Sequence, residues 1–322
     1  MDYVEIDGSH GEGGGQVLRT SLSLSAITQK PVKITSIRAN RSNPGLQPQH
    51  LMACKAVRNV CRGTLEGAEI GSSELRFSPG PIVGGRYEFD IGTAGSVTLV
   101  AQTLIPILLK ANKENELRII GGTHVLKSPG YDYFEQVFVP AIQRFGARAE
   151  CRMLKTGYYP KGGGTIEVKT WPSGLHGCES WPKEEGAQVI IRLSGLPNSI
   201  AIREKKVFVQ NGIEKVHIRE EQALSPGNAV TAWNGFRGAY VPGEKGKRAE
   251  TVAQEAFDAL AAEKRDVDIH LADQLLIYGA LAEGPTRYET SAITTHLNTN
   301  REIISKFIER KIEIQDNRIS IA

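Results

Sequence analysis

Residues 96–122 read SVTLVAQTLIPILLKANKENELRIIGG. Up to Ala111 the run is apolar with helical spacing, and the polar hinge NKEN then leads into a short, β-prone segment. A second helical pattern, YDYFEQVFVPAIQRF (131–145), and two further strands, ARAECRML (147–154) and GTIEVK (164–169), complete the series. The order is helix, strand, helix, strand, strand. Working outward, the same order is found upstream in VLRTSLSLSAI (17–27), VKITSIR (32–38), a helix over 49–60, TLEGAEI (64–70) and ELRFS (74–78). Downstream it comes again in ADQLLIYGALAE (272–283), TRYETSAI (286–293), NREIISKFIE (300–309), KIEIQ (311–315) and RISIA (318–322), with DNR as the hairpin turn. One such unit cannot bury enough apolar surface alone, whereas three packed together can. The sequence therefore predicts a mixed α/β (α+β) fold of three tandem repeats.

Between the second and third units, a stretch from about 181 to 265 breaks the series. It carries its own strands and helices: VIIRLSGL (189–196), IREKKVFVQNGIEK (202–215), VHIREEQAL (216–224), AVTAWNGF (229–236) and ETVAQEAFDALAAE (250–263). The linker PSGLHGCESWPKEEG precedes it, rich in Gly, Pro and charge. The expected organisation is a three-repeat body of residues 1–180 plus 266–322, with a smaller α/β domain, 181–265, inserted before the third repeat.

Bulk properties narrow the function classes. Hydrophobic content of 40% and charged content of 23% are those of a soluble globular protein, and a net charge of +3 is too small to argue for nucleic acid by itself. The four cysteines have no paired C-x-x-C spacing, so a structural metal is not expected, and Cys54 and Cys61 sit two turns apart on a predicted helix, as core positions do. Neither a signal-peptide pattern nor an apolar run of membrane-spanning length is present. These features place the protein in a reducing cytoplasm.

Four segments, DGSHGEGGGQVLRT, IRANRSNPGLQPQH, GTAGSVTLVAQTLIP, and HLADQLLIYGALAEG with TTHLNTN, together resemble the RNA 3′-terminal phosphate cyclase family over nearly the whole chain. The resemblance implies three repeats of a two-helix, four-stranded unit plus a small insert. It also implies ATP as co-substrate, Mg²⁺ or Mn²⁺ as metal, and an RNA with a 3′-terminal phosphate as partner; no membrane and no protein partner are expected.

The residues can be read as chemistry beside that resemblance. The glycine run 11–15 precedes a helix, so its amides can face an anion, with Glu12 as either a solvated carboxylate or, by the resemblance, a metal contact. Arg19, Arg38 and Arg41 carry planar forks suited to phosphate, and the resemblance assigns Arg19 to the nucleotide and Arg38, Arg41 and Gln49 to the substrate phosphate. Gln102 lies inside a very apolar helix and needs a partner, either a backbone carbonyl or a ligand. By resemblance it belongs to the nucleotide site with Pro129, His270, Leu271, Ala272, Asp273 and Gln274. His270 stands where the family often has an aromatic stacking residue.

Of the seven histidines, His296 follows a strand and precedes a helix in a predicted loop, and the resemblance places the nucleophile there. His10 could line the phosphate site, and no partner is expected for His50, His124, His176 or His217. The implied activity is ATP-dependent conversion of an RNA 3′-phosphate to a 2′,3′-cyclic phosphodiester through histidine-AMP and RNA-adenylate intermediates. The alternative is a non-catalytic cyclase-like protein that binds RNA in ribosome assembly.

Overall fold

The computed structural model describes residues 2–11, 13–183 and 186–322. It is a mixed α/β protein with four small sheets. The first contains β1 (Val4–Asp7), β2 (Val32–Thr35), β3 (Thr64–Glu66) and β4 (Leu75–Ser78), in the order β1-β2-β4-β3, covered by α1 (Gly15–Thr28) and α2 (Pro48–Val60). β1 and β2 run parallel with Val4 opposite Val32, and the remaining pairs are antiparallel. A parallel pair needs a crossover, and α1 provides it.

The second sheet has the same order and pairing: β5 (Arg86–Asp90), β6 (Asn115–Gly121), β7 (Arg148–Lys155) and β8 (Gly164–Trp171) form β5-β6-β8-β7, with only β5 and β6 parallel. Its helices are α3 (Val97–Leu108) and a segment from α4 (Tyr131–Tyr133) through a π turn, Phe134–Phe138, to α5 (Val139–Gln143). Hydrophobic periodicity overlooked β1 and β5. Both are edge strands of four and five residues that bury one residue each, Ile6 and Phe89; Val4 and Tyr87 share those faces, but two apolar positions in so short a run give little periodic signal.

The stretch between these units and the C-terminal elements builds its own sheet from β9 (Gln188–Ser194), β10 (Val216–Glu221), β11 (Gly227–Asn234) and β12 (Arg237–Pro242), ordered β10-β9-β11-β12, with α6 (Ser199–Gln210) and α7 (Ala249–Ala262). A separate apolar cluster of residues between Val189 and Leu260 fills it. The last sheet follows α8 (Ile269–Leu281) and consists of β13 (Thr286–Glu289), β14 (Ile312–Gln315) and β15 (Arg318–Ile321) in the order β13-β15-β14, with α9 (Thr295–Phe307). Where four strands are implied, three form here, and an isolated parallel bridge between Val267 and Thr290 marks the edge. Asp316 and Asn317 both adopt positive φ, as a tight two-residue hairpin requires.

α1, α3, α8 and α9 pack together at the centre, and one continuous apolar cluster runs from Ile6 to Ile321 through these helices and their sheets. Cys54 and Cys61 are fully buried in it. Among the described residues no helix is long and apolar enough to cross a membrane.

Candidate active site

A cavity of about 980 Å³ opens where these helices converge. That is the size range of ligand pockets. At one end α1 begins, with Gly14 in the N-cap position and no side chain capping it, so the first amides of the helix are open. Glycine is required here by close approach: a Cβ on Gly15 would stand 2.3 Å from His50 Nε2 and 2.8 Å from Arg19 Nη1, and one on Gly14 would stand 2.8 Å from Arg41 Nη2. Two guanidiniums and an imidazole therefore lie against the helix start.

Arg19 is held among these groups, where burial pushes its guanidinium down to about 10 against the opposing charge of Asp273, leaving it a cation at neutral pH. Arg38 sits at φ 55° and donates from Nη1 to the carbonyls of Asn43 (2.5 Å) and Gly45 (2.8 Å), which fixes its fork beside Arg41. Burial, then the Arg41 cation, lowers its pKa. His50 is buried at 6% exposure; that burial, with the Arg19 and Arg38 cations, pushes its imidazole down to about 3, so it is neutral. Its Nδ1 has no partner among the described residues. Sequence reasoning passed over His50, although its place in the first turn of a helix that begins Pro48–Gln49 was a usable signal.

The cavity floor is a polar seam between helices. Gln16 donates to Asp273 at 3.1 Å, Thr20 to Asn300 at 2.8 Å, and Asn300 to the Asp273 carbonyl at 3.1 Å. Gln102, expected to need a partner, finds neither a carbonyl nor an empty wall but the side chain of Gln274, donating to its Oε1 at 2.8 Å. Gln49 accepts from the Ser96 amide at 3.0 Å, at the start of α3. Pro129 lines the cavity, its carbonyl taken by the Thr98 hydroxyl at 2.7 Å.

His270 and His296 also line the cavity. His296 is not on a loop: α9 begins at Thr295, because the Thr294 hydroxyl caps it by accepting from the Leu297 amide at 3.1 Å. The imidazole thus projects from the first turn of a helix. Leu271 and Ala272 do not line the cavity; they are fully buried in the core. On α8 the positions 270, 273, 274 and 277 share the cavity face, which turns the two intervening residues inward. His10 does not line it either, being paired with Glu302. Glu12 lies outside the described residues.

The sheet β10-β9-β11-β12 and its helix α7 supply one wall, through Gly238, Ala239, Tyr240 and Pro242 of β12 and Ala259, Ala262 and Glu263 at the end of α7. Two connections hold it there. Asp268, the N-cap of α8, accepts from the amides of His270 and Leu271 (2.9 Å each), the Gly238 amide (2.8 Å) and the Tyr133 hydroxyl (2.9 Å). Burial pushes Asp268 up to about 6, against those donors. On the far side Arg192 of β9 grips Asp132 through two bonds of 2.7 and 2.8 Å, Asp132 also takes His124 Nε2 at 3.0 Å, and Glu221 joins Arg192 to Thr156. Burial alone would raise Asp132; the His124 and Arg192 hydrogen bonds bring it down to about 2.

Comparisons with known proteins bear on the family of the chain. The profile of the family described as "RNA 3'-terminal phosphate cyclase" matches residues 10–314. A protein of that name from Archaeoglobus fulgidus is 41% identical over 327 residues, covering 99% of each chain. Proteins of the same name from Sulfolobus acidocaldarius (42% identical, 97% of each chain) and Nitrosospira multiformis (41% identical, 96% of this chain and 93% of the other) are similar. Among solved structures, the enolpyruvyl transferase NikO from Streptomyces tendae aligns over the whole chain and 81% of its own, at 13% identity and a TM-score of 0.29, too low to bear on fold or function.

Proposed function

This chain belongs to the RNA 3′-terminal phosphate cyclase family, and we propose that it converts an RNA 3′-phosphate to a 2′,3′-cyclic phosphodiester at the expense of ATP. The observation that carries the reading is the meeting, in one cavity, of the His296 imidazole with the arginines grouped at the start of α1. A ring nitrogen of His296 attacks the α-phosphorus of ATP, the bond to the β-phosphate oxygen breaks, and pyrophosphate leaves. An oxygen of the RNA 3′-phosphate then attacks the same phosphorus and breaks the P–N bond. Last, the adjacent ribose 2′-OH attacks the 3′-phosphorus, loses its proton and expels AMP; the ribose itself holds the reactants together. Arg19, Arg38 and Arg41 offset phosphate charge, and Gln49, which orders the start of α3, borders the same space.

In this scheme a divalent cation would accompany the nucleotide, with Glu12, outside the described residues, as its protein contact. Among the described residues no group of three or more His, Cys, Asp or Glu could hold a metal. Mg²⁺ or Mn²⁺ would draw its ligands mainly from phosphate oxygens and water, and when bound would neutralise phosphate charge.

We further read the sheets as three copies of one two-helix, four-stranded unit, the third lacking a full edge strand, with residues 181–265 as the insert. Cytoplasmic placement follows from the same reading. Incubation with ATP labelled at the α-phosphate and Mg²⁺ tests the chemistry: acid-labile, base-stable label on His296 is expected. A folded protein that takes up no label while still binding RNA is instead the non-catalytic relative.

A further inference from the structure

Tyr159 is 77% exposed, the highest value among the large apolar side chains of the described residues, and neither its ring nor its hydroxyl meets a partner among them. The loop that carries it is fixed. Tyr158 before it is buried, with its ring centroid 5.6 Å from that of His124. The Gly162 amide closes the turn by donating to the Tyr158 carbonyl at 2.8 Å, and the Lys161 amide donates to Ser225 Oγ at 3.2 Å. The exposed tip, Tyr159 to Lys161, thus rises from an ordered base, so little freedom is lost when the ring is covered.

This loop stands at the rim of the cavity. His124 forms a parallel bridge with Tyr158, and Leu126, Lys127 and Ser128, just beyond it, line the cavity. At the other end of the turn a Cβ on Gly162 would stand 2.8 Å from the Ala94 Cα and 2.9 Å from the Thr93 carbonyl oxygen, and Thr93 and Gly95 line the cavity as well. The next amide, that of Ser96, is held by Gln49. A path therefore runs from the arginine end past Gln49, Gly95 and Thr93 to Tyr159, which lies outside the cavity itself. The segments that build this rim, 91–96, 122–131, 154–164 and 222–228, hold Lys127, Lys155 and Lys161 and no Asp or Glu, and none of these lysines forms an ion pair among the described residues. The acids at the segment ends are engaged: Asp90 by the Gly92 amide, Asp132 by Arg192 and His124, and Glu221 by Arg192 and Thr156. Uncommitted cations beside one free aromatic ring suit a single-stranded nucleic acid, whose phosphates meet the lysines and whose bases each have a face to stack.

Resting on the cyclase reading above, we propose that Tyr159 is the stacking platform for an RNA base upstream of those the cavity encloses, with Lys127 and Lys161 contacting the phosphates that lead to it. The test compares kcat/KM for cyclisation of a dinucleotide and a decanucleotide that share the same 3′-phosphorylated end. Wild type should favour the decanucleotide by about 5- to 100-fold, the effect of stacking one base. In Tyr159→Ala this advantage should fall to within about threefold, whereas Tyr159→Phe, which keeps the ring, should retain most of it. Replacing Lys127 and Lys161 together by Ala should make the log–log salt dependence of decanucleotide binding shallower by about 1.4, as loss of two single-strand phosphate contacts requires.

A wild type that uses both RNAs equally well overturns the proposal, however the variants fold. So does a Tyr159→Ala protein that keeps the advantage; if that variant also loses a dimer present in wild type, the ring serves a second copy of the chain instead. A loss in Tyr159→Phe as large as that in Tyr159→Ala overturns stacking, and an unchanged salt dependence overturns the lysine contacts. Failure of wild type to cyclise either RNA sinks the cyclase reading and this inference with it.

Discussion

The arginine end of the cavity and the wall opposite it are put together differently. Gly14, Gly15, Arg19, Arg38, Arg41, Gln49 and His50 all lie within one unit, joined by short connections, and a local reading of glycine run, helix start and forked side chains selected most of them. The opposite wall joins Pro129 and Tyr133 from the second unit, Gly238 to Pro242 and Glu263 from the insert, and His270 from α8. Its parts are tied together by a buried Asp268 and a buried Asp132, beside apolar packing of Trp233, Phe236 and Tyr240 on the main core. Charge chemistry is thus written locally, while the shape and selectivity of the cavity depend on long-range packing.

The sharpest break in this comparison is at the nucleophile. His296→Ala is expected to lower adenylylation by at least about 10⁴-fold, to background, because no neighbouring group can store AMP in its place. His270→Ala, on the opposite wall, should weaken ATP use by about 10-fold, since base contacts are shared. Label mapped to His270 or to a lysine, with His296→Ala still active, would overturn the assignment.

Next in size is the tie that holds the insert. Asp132→Ala leaves the buried Arg192 with Glu221 alone and removes the His124 Nε2 partner, and should destabilise the protein by about 3 kcal/mol, read as a shift in urea unfolding. Adding Arg192→Met should recover part of that loss. A shift under about 1 kcal/mol would show that the insert is seated by apolar contacts alone.

The arginine pair gives a smaller effect. Arg38→Ala or Arg41→Ala should reduce cyclisation of 3′-phosphorylated RNA by about 10- to 100-fold and self-adenylylation by less. Equal losses in both steps would move these residues from the RNA phosphate to the nucleotide.

The last is a pH effect at His50, small at neutral pH. Its native imidazole is held near 3, against about 6.5 in an unfolded chain, so between these values the unfolded state binds the extra proton. The stability it contributes is complete above about pH 6.5 and is lost as pH falls toward 3, by at most about 1.4 kcal/mol per pH unit. The difference in unfolding free energy between wild type and His50→Gln should shrink as pH falls through this window. A difference that is constant with pH would show that His50 is not buried neutral.

Patterning alone located the helices at 17–27 and 96–111, the strands they lead to, and the hairpin at DNR, because each carries its periodicity or its turn residues within a few positions. The edge strands β1 and β5 were not identified, since an alternation of two apolar residues over four or five positions is too short to stand out. Nor was the true start of α9, where one threonine hydroxyl extended the helix to take in His296.

By itself, then, the sequence determined the mixed α/β architecture and the glycine run that opens α1, which follow from spacing and residue type. The tertiary structure decided that the interruption folds back to wall the cavity, that Gln102 answers Gln274, and that Leu271 and Ala272 face the core. It also buried His50 beside two cations and left Glu263 with one unpaired oxygen. These outcomes depend on which groups share a desolvated volume, and that is fixed by packing between segments far apart in the chain.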